Sequence, residues 1–233
     1  LCAARRSPRP RESVTPVLFR HDPALLNEFA QLSVATLHLD AVDALVVAPD
    51  AVRERLERAR ARLTDRPEST WPSVAAWRRA FSQLGLKPTQ YRCASESLLR
   101  RLRTEGSLPA IHPLVDTCNV LSAESGIPIA VFDLEHVLGD LTVRRAHGTE
   151  SYQSFAGAVE HPDPGEVVFA DDAENAHARR WSHRQSALSA ICPATRSVLV
   201  VIEAMHESGA RDVRSVRAAL IDLVGDGCVV RSA

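Results

Sequence analysis

The sequence predicts a mixed α+β fold: helical periodicity fills the first half, strand-like runs fill the second, and one helical stripe closes the chain. Strands and helices do not alternate, which excludes a regular βαβ series. The helical part opens at Asp22-Pro23, an aspartate cap followed by proline at the first helical position. Leu25, Leu26, Phe29, Leu32 and Leu37 then follow at near-helical spacing. Residues 14–19 and 42–47 read as short strands, and Asp50 as the cap of a helix over 51–63. That helix interleaves Arg53, Arg55, Arg58, Arg60 and Arg62 with Glu54 and Glu57. Glu54 with Arg58, and Arg53 with Glu57, stand four apart, which reads as a solvated, self-paired face. An RNA-facing patch is the competing reading. Pro72 opens the next helix, with Val74, Trp77, Ala80, Phe81 and Leu84 on one stripe and Gly85 as its stop. Trp77 belongs to the core on this pattern. Residues 95–102 and 113–123 read as further helices.

From Gly126 the texture changes. Residues 141–146 alternate, 166–170 are rich in β-formers, and 197–204 form the continuous apolar run of a strand covered on both faces. Pro162-Asp163-Pro164-Gly165 is a turn by composition. Residues 213–224 read as the closing helix.

Composition narrows the function classes. The chain has 233 residues, 45% hydrophobic and 24% charged, with a formal net charge of −1. No global positive field draws it onto nucleic acid, so RNA binding has to come from local patches. Of its 28 basic residues all but Lys87 are Arg, spread over the whole length. The five cysteines are widely spaced with no C-x-x-C pair, which supports neither a zinc knuckle nor a disulfide framework and fits reduced thiols in a cytoplasmic setting. No apolar run approaches the roughly 20 residues that span a bilayer. Residues 1–13 read as a tail without a secretory core segment. Phosphate-binding glycine loops, H-E-x-x-H and G-x-S-x-G are absent, and the nine histidines never pair at metal-ligand spacing. No cofactor and no metal are expected. A Cys118 nucleophile with His112 or His183 is formally open, with no spacing to support it.

Unusual polar words stand out instead. SLPAIHPLVDTCN places Asp116 and Asn119 on one side of a short helix. RRWSHRQS, read as an alternating strand, sets Arg180, Ser182 and Arg184 on one face and Trp181, His183 and Gln185 on the other. Polar and aromatic groups from several segments are what a binding pocket requires.

In order, LKPTQYRCASESLLRR, LPAIHPLVDTCNVLS, GIPIAVFDLEHVLGDLTVRRA, PGEVVFADD, ARRWSHRQS and VLVVIEA resemble the B3/B4 domain of the bacterial phenylalanyl-tRNA synthetase β subunit. The likeness is nearest to that domain's stand-alone relatives and runs from Gly85 to about Ala204. It implies a multilayer, partly barrel-like β core with flanking helices. Residues 85–233 would form the tRNA-binding and editing region, with residues 14–84 as an N-terminal α/β part on the same core. In the synthetase the domain edits tRNA mischarged with tyrosine. Where the synthetase has histidine just before the FD dipeptide, Ala130 stands here. Where it has glutamate after a glycine-rich stretch, Gln185 stands here, and Arg and Trp replace the glycines. His112 stands where relatives often have Asn. The resemblance therefore implies tRNA as partner but not tyrosine specificity.

Ester hydrolysis needs a positioned water, oxyanion stabilisation and a base. Gln185 is placed as a donor to the oxyanion or water, and Asp133 and Asp172 as candidate bases. Arg92, Arg180 and Arg184 are assigned to phosphates, Trp181 to adenine or the side-chain pocket, Asn119 and Ser122 to ribose hydroxyls, with His112 and Glu203 completing the substrate set. A buried Arg92–Glu203 ion pair is the structural alternative for those two. The functional expectation is a trans-editing deacylase of mischarged aminoacyl-tRNA. A non-catalytic tRNA- or amino-acid-binding module is the alternative, and steep salt dependence marks the tRNA readings.

Overall fold

The computed structural model describes residues 17–225 and 228–231. The strand expected at 14–19 lies partly outside them; within them β1 runs Phe19–His21. Asp22 caps α1 (Pro23–Glu28) as expected, its carboxylate accepting from the Ala24 amide at 2.7 Å. The helix stops there, and Leu37 lies not on it but on β2 (Ser33–Asp40). Pairing of β2 with β10 (Ser197–Ala204) along all eight residues overrides the helical spacing. Residues 42–47 are not a strand: Val42–Ala44 form a single 3₁₀ turn.

The helices α2 (Pro49–Asp65), α3 (Pro72–Gln83), α4 (Ala94–Glu105) and α5 (Pro113–Ser125) follow where expected. Asp50 sits in the first turn of α2, and Ala48, without a side-chain cap, is the capping residue. The Arg-rich face of α2 is largely paired: Arg58 with Glu54, Arg60 with Glu57, and Arg53 with Asp50 in place of Glu57. Arg55 and Arg58 also hold Glu124 of α5, and Arg62 lies 3.8 Å over the Trp71 ring.

The second half supplies β3 (Ile129–Asp133), β4 (Leu141–Arg145), β5 (Tyr152–Gln153), β6 (Val159–Glu160), β7 (Val167–Asp171), β8 (Ala176–Arg179), β9 (Arg184–Gln185) and then β10, α6 (Gly209–Val224) and β11 (Val229–Arg231). Two sheets result, ordered β1-β4-β7-β8-β9 and β11-β2-β10-β3, with β5-β6 as a separate hairpin. The fold is mixed α+β and layered, and neither sheet closes into a barrel among the described residues.

Strand periodicity explains the layers. On β10, Leu199 and Val201 face a core shared with Phe132, Leu141, Val143, Phe169, Trp77 and Trp181. Val198, Val200 and Ile202 face the opposite way, against α5 and α6 through Leu114, Leu121, Val213 and Leu220. Both faces are covered, which is why the strand is apolar without alternation. By the same period of two, Glu203 follows Leu199 and Val201 towards the layer between the sheets.

Ser189, His177 and Asp171 line up in that interior, with His177 Nδ1 2.9 Å from the Ser189 hydroxyl and Nε2 3.2 Å from Asp171. The order resembles a nucleophilic triad, but all three side chains are buried and bonded to one another, and Ser189 lines neither the cavity beside Trp181 nor the cleft beside Arg20. The group is a structural tie. Burial alone would raise the Asp171 pKa, but hydrogen bonds from His177, Asn175 and the Leu138 amide outweigh it and hold the carboxyl at about 2.

Two predictions follow from this packing. Phe132 is fully buried, 5.3 Å from the Phe169 ring centroid, so Phe132→Ala is expected to cost about 3–5 kcal/mol in chemical denaturation. Asp171 has a depressed folded pKa, so its contribution is present above the unfolded value of about 3.9 and is lost as pH falls towards 2. Asp171→Asn is expected to lower stability at pH 7 by about 1–3 kcal/mol and to flatten the stability curve between about pH 4 and pH 2, as read by urea melts across that range.

Candidate functional site

The segment between β8 and β9 is not an alternating strand. Arg179 ends β8, Arg180 and Trp181 both adopt left-handed backbone with φ of 48° and 57°, and the chain returns as β9. Arg180 and Trp181 are therefore not on opposite faces of a ribbon; they form a tight corner. Two bulky residues in this region cost about 1–3 kcal/mol each, and their surroundings have to hold them there. Trp181 N–H donates to the Val167 carbonyl at 2.7 Å, and Arg180 N–H to the Glu166 carboxylate at 2.9 Å. The Trp181 ring is fully buried, edge-on to Phe29 at 5.1 Å and to Trp77 at 5.3 Å. Its indole N–H donates to both Glu203 oxygens at 3.2 Å, and His21 Nε2 lies 2.7 Å from Oε1 of the same carboxylate.

This corner builds a cavity of about 70 Å³ between β3, the edge of one sheet, and β9, the edge of the other. Ile129, Ala130, Ala178 and Val201 give it apolar walls, and Glu203 is its carboxylate. Gln185 bridges the two edges, its amide donating to the Val131 carbonyl at 2.6 Å. The buried Ser182 hydroxyl lines the cavity without a hydrogen-bond partner. His183 completes the lining. Its Nδ1 is 2.8 Å from the Arg92 carbonyl, which only accepts, so Nδ1 carries the proton and Nε2 presents its lone pair. Burial first, then the nearby Arg180 and Arg184 charges, lower the His183 pKa below 6.5, leaving it neutral at pH 7.

The expected site residues divide. Trp181, Arg184, Gln185 and Glu203 line this cavity. Arg184 exposes 44% of its side chain and is 3.9 Å from Glu160, the least committed of the three arginines assigned to phosphate. Arg180 lies 4.7 Å over Tyr91 and near Glu166, outside the cavity lining. Arg92 donates to the Thr89 carbonyl and approaches Glu96 at 3.7 Å; it makes no ion pair with Glu203. The others are elsewhere and structurally employed. His112 caps α5, accepting from the Leu114 amide at 3.2 Å, and Ser122 donates to the Ile127 carbonyl at 2.7 Å. Asn119 lies on α5, half-buried, outside the cavity lining. Asp133 accepts from Thr195 at 2.7 Å and the Glu135 amide at 3.0 Å. Asp172 accepts from the Asp140 amide at 2.9 Å across Gly139, where an added Cβ would meet its Oδ2 at 2.2 Å. His183 and Ser182 are the additions the structure makes.

A second cleft of about 340 Å³ is lined by Arg20, His21, Asp172, Arg144 and Glu174, among others. Its size exceeds that of the first, but its charges satisfy one another: Arg20 with Asp140, and Arg144 with Glu150 and Glu174. His147, Glu150 and Glu174 bring ligand atoms within 4.8 Å of one another, a grouping that sequence spacing did not show. The Arg144 guanidinium already occupies the charge of both carboxylates there.

Comparison with known proteins shows the fold and the family. Over 77 residues the chain is 40% identical to the phenylalanine–tRNA ligase β subunit of Nitrobacter winogradskyi and 38% identical to that of Bradyrhizobium diazoefficiens. Those stretches cover 33% of this chain and only 9% and 10% of the two ligase subunits. An N-terminal fragment of the phenylalanyl-tRNA synthetase β subunit from Pyrococcus horikoshii superposes with a TM-score of 0.51 at 9% identity, covering 97% of this chain and 53% of that one, a likeness of fold. Residues 76–218, more than half of the chain and including the whole β8–β9 corner, match the B3/4 domain, and the protein belongs to that family.

Proposed function

We propose that the protein binds the aminoacylated 3′ end of tRNA and hydrolyses the ester of mischarged species, acting in trans on tRNA charged elsewhere. The observation that carries this reading is the neutral imidazole of His183, tautomerically fixed by the Arg92 carbonyl and set on the wall of a cavity that also holds Ser182, Gln185 and Glu203. Neither Asp133 nor Asp172 lines this cavity, so the base role passes to His183. Its Nε2 takes a proton from a water as that water attacks the ester carbonyl, and the protonated ring returns the proton to the ribose oxygen as the acyl C–O bond breaks. Because one Gln185 N–H is held by Val131, Gln185 positions the water through its carbonyl oxygen and its remaining N–H. The exposed Arg184 head meets phosphate at the cavity rim. A cytoplasmic setting follows from this substrate.

A formal charge of −1 and the pairing of the α2 arginines favour contact with the end of the tRNA over an extended electrostatic footprint. The non-catalytic binding module remains the second reading. It is favoured by the absence of any free carboxylate base in the cavity, Glu203 being engaged by Trp181 and His21.

Amino acid release from a panel of charged tRNAs tests the proposal. His183→Gln is expected to lower the release rate by about 10²–10⁴-fold with tRNA binding retained. The wild-type rate is expected to rise with pH through a midpoint below 6.5, since only the unprotonated ring acts as base. An unchanged rate in His183→Gln contradicts the assignment of the base. Intact, salt-sensitive tRNA binding with no release from any species leaves the binding module.

A further inference from the structure

We infer that the cavity selects a small aminoacyl group carrying a hydroxyl, of serine or threonine size, and excludes an aromatic ring. This rests on the reading of the cavity as an aminoacyl site and goes further by naming the side chain. Size is the first argument. The cavity measures about 70 Å³. A cavity that accepts benzene is about 150 Å³, so the space is about half of what an aromatic ring takes. A phenol does not fit.

The floor is not soft. Phe169, Val201 and Trp181 belong to the packed core, and Trp181 is wedged between Phe29 and Trp77. Opening the floor means displacing close-packed rings. The Trp181 ring fills the space behind the corner.

Polarity is the second argument. An apolar side chain would leave two groups unserved. Ser182 Oγ is buried and has no partner. Glu203, with 4% of its side chain exposed, has Oε1 shared between His21 and Trp181, while Oε2 accepts only half of the divided Trp181 N–H bond. A carboxylate oxygen accepts two hydrogen bonds, so Oε2 keeps capacity for one more donor. A substrate hydroxyl supplies that donor to Glu203 and accepts from Ser182, completing both groups. Sites built to bond a hydroxyl reject the analogue lacking it because buried polar groups are then left unpaired.

The test uses nonhydrolysable 3′-amide-linked seryl, alanyl and tyrosyl adenosines, with binding to the full chain followed by calorimetry. The seryl compound is expected to bind at least about tenfold more tightly than the alanyl one, with the tyrosyl compound weakest. Ser182→Ala and Glu203→Gln are each expected to shrink the seryl-over-alanyl preference several-fold, with near-UV circular dichroism reporting that the Trp181 environment is retained. Tyrosyl binding equal to or tighter than seryl, or no binding by any of the three, overturns the inference. Release from seryl- and tyrosyl-tRNA is measured in parallel to separate the two readings. A seryl binding preference without any release removes hydrolysis and keeps the selectivity; release from tyrosyl-tRNA alone keeps hydrolysis and removes the selectivity.

Discussion

The bond from the Trp181 indole to Glu203 joins the corner of one sheet to the central run of the other, and the site exists because of it. Glu203 reaches the inter-sheet layer because β10 is extended and places every second side chain there. A lone carboxylate in that layer is costly unless donors meet it. Trp181 and His21 are those donors, one from the β8–β9 corner and one from β1, so three distant segments are fixed relative to one another. Remove the carboxylate and the indole N–H is left buried without a partner.

The same bond explains an unusual backbone. Arg180 and Trp181 occupy positive φ without being glycine. Glycine would meet no steric penalty there. Here the aromatic packing of Trp181 and the Glu166 contact of Arg180 compensate, and the ring closes the space that glycine would leave. Strain at the corner and the small size of the cavity thus have one origin. His183 follows directly, turned by the corner so that its ring stands 5.3 Å from Tyr91, edge-on, and reaches the Arg92 carbonyl.

Much of the fold was legible where local chemistry and tertiary environment agree. The Asp22 cap, the Pro72 helix start and the doubly covered strand Ser197–Ala204 are all written in residue type and period. Leu37 misled because its spacing suited a helix while its pairing with Val200 made it a strand residue. The RRWSHRQS segment misled for a different reason: alternation presumes extended backbone, and no glycine announces the left-handed corner. Trp181, Arg184, Gln185 and Glu203 were found through ordered words that converge on one cavity. His183 entered only as a formal partner of Cys118, because its tautomer is set by a carbonyl 91 residues away, which no local pattern encodes. Asp133 and Asp172 attracted attention as acidic residues beside the right words, yet each holds backbone amides at a turn.

The central claim is that Trp181 is locked into the interior by Glu203, and hydrogen exchange of its indole proton tests it most directly. With 15N-labelled tryptophan, the Trp181 Nε1–H is expected to exchange only through global unfolding, at the rate of the slowest amides of β10. Exchange on the timescale of an exposed side chain would show that the corner opens freely, and the cavity as described would not be a fixed feature of the protein.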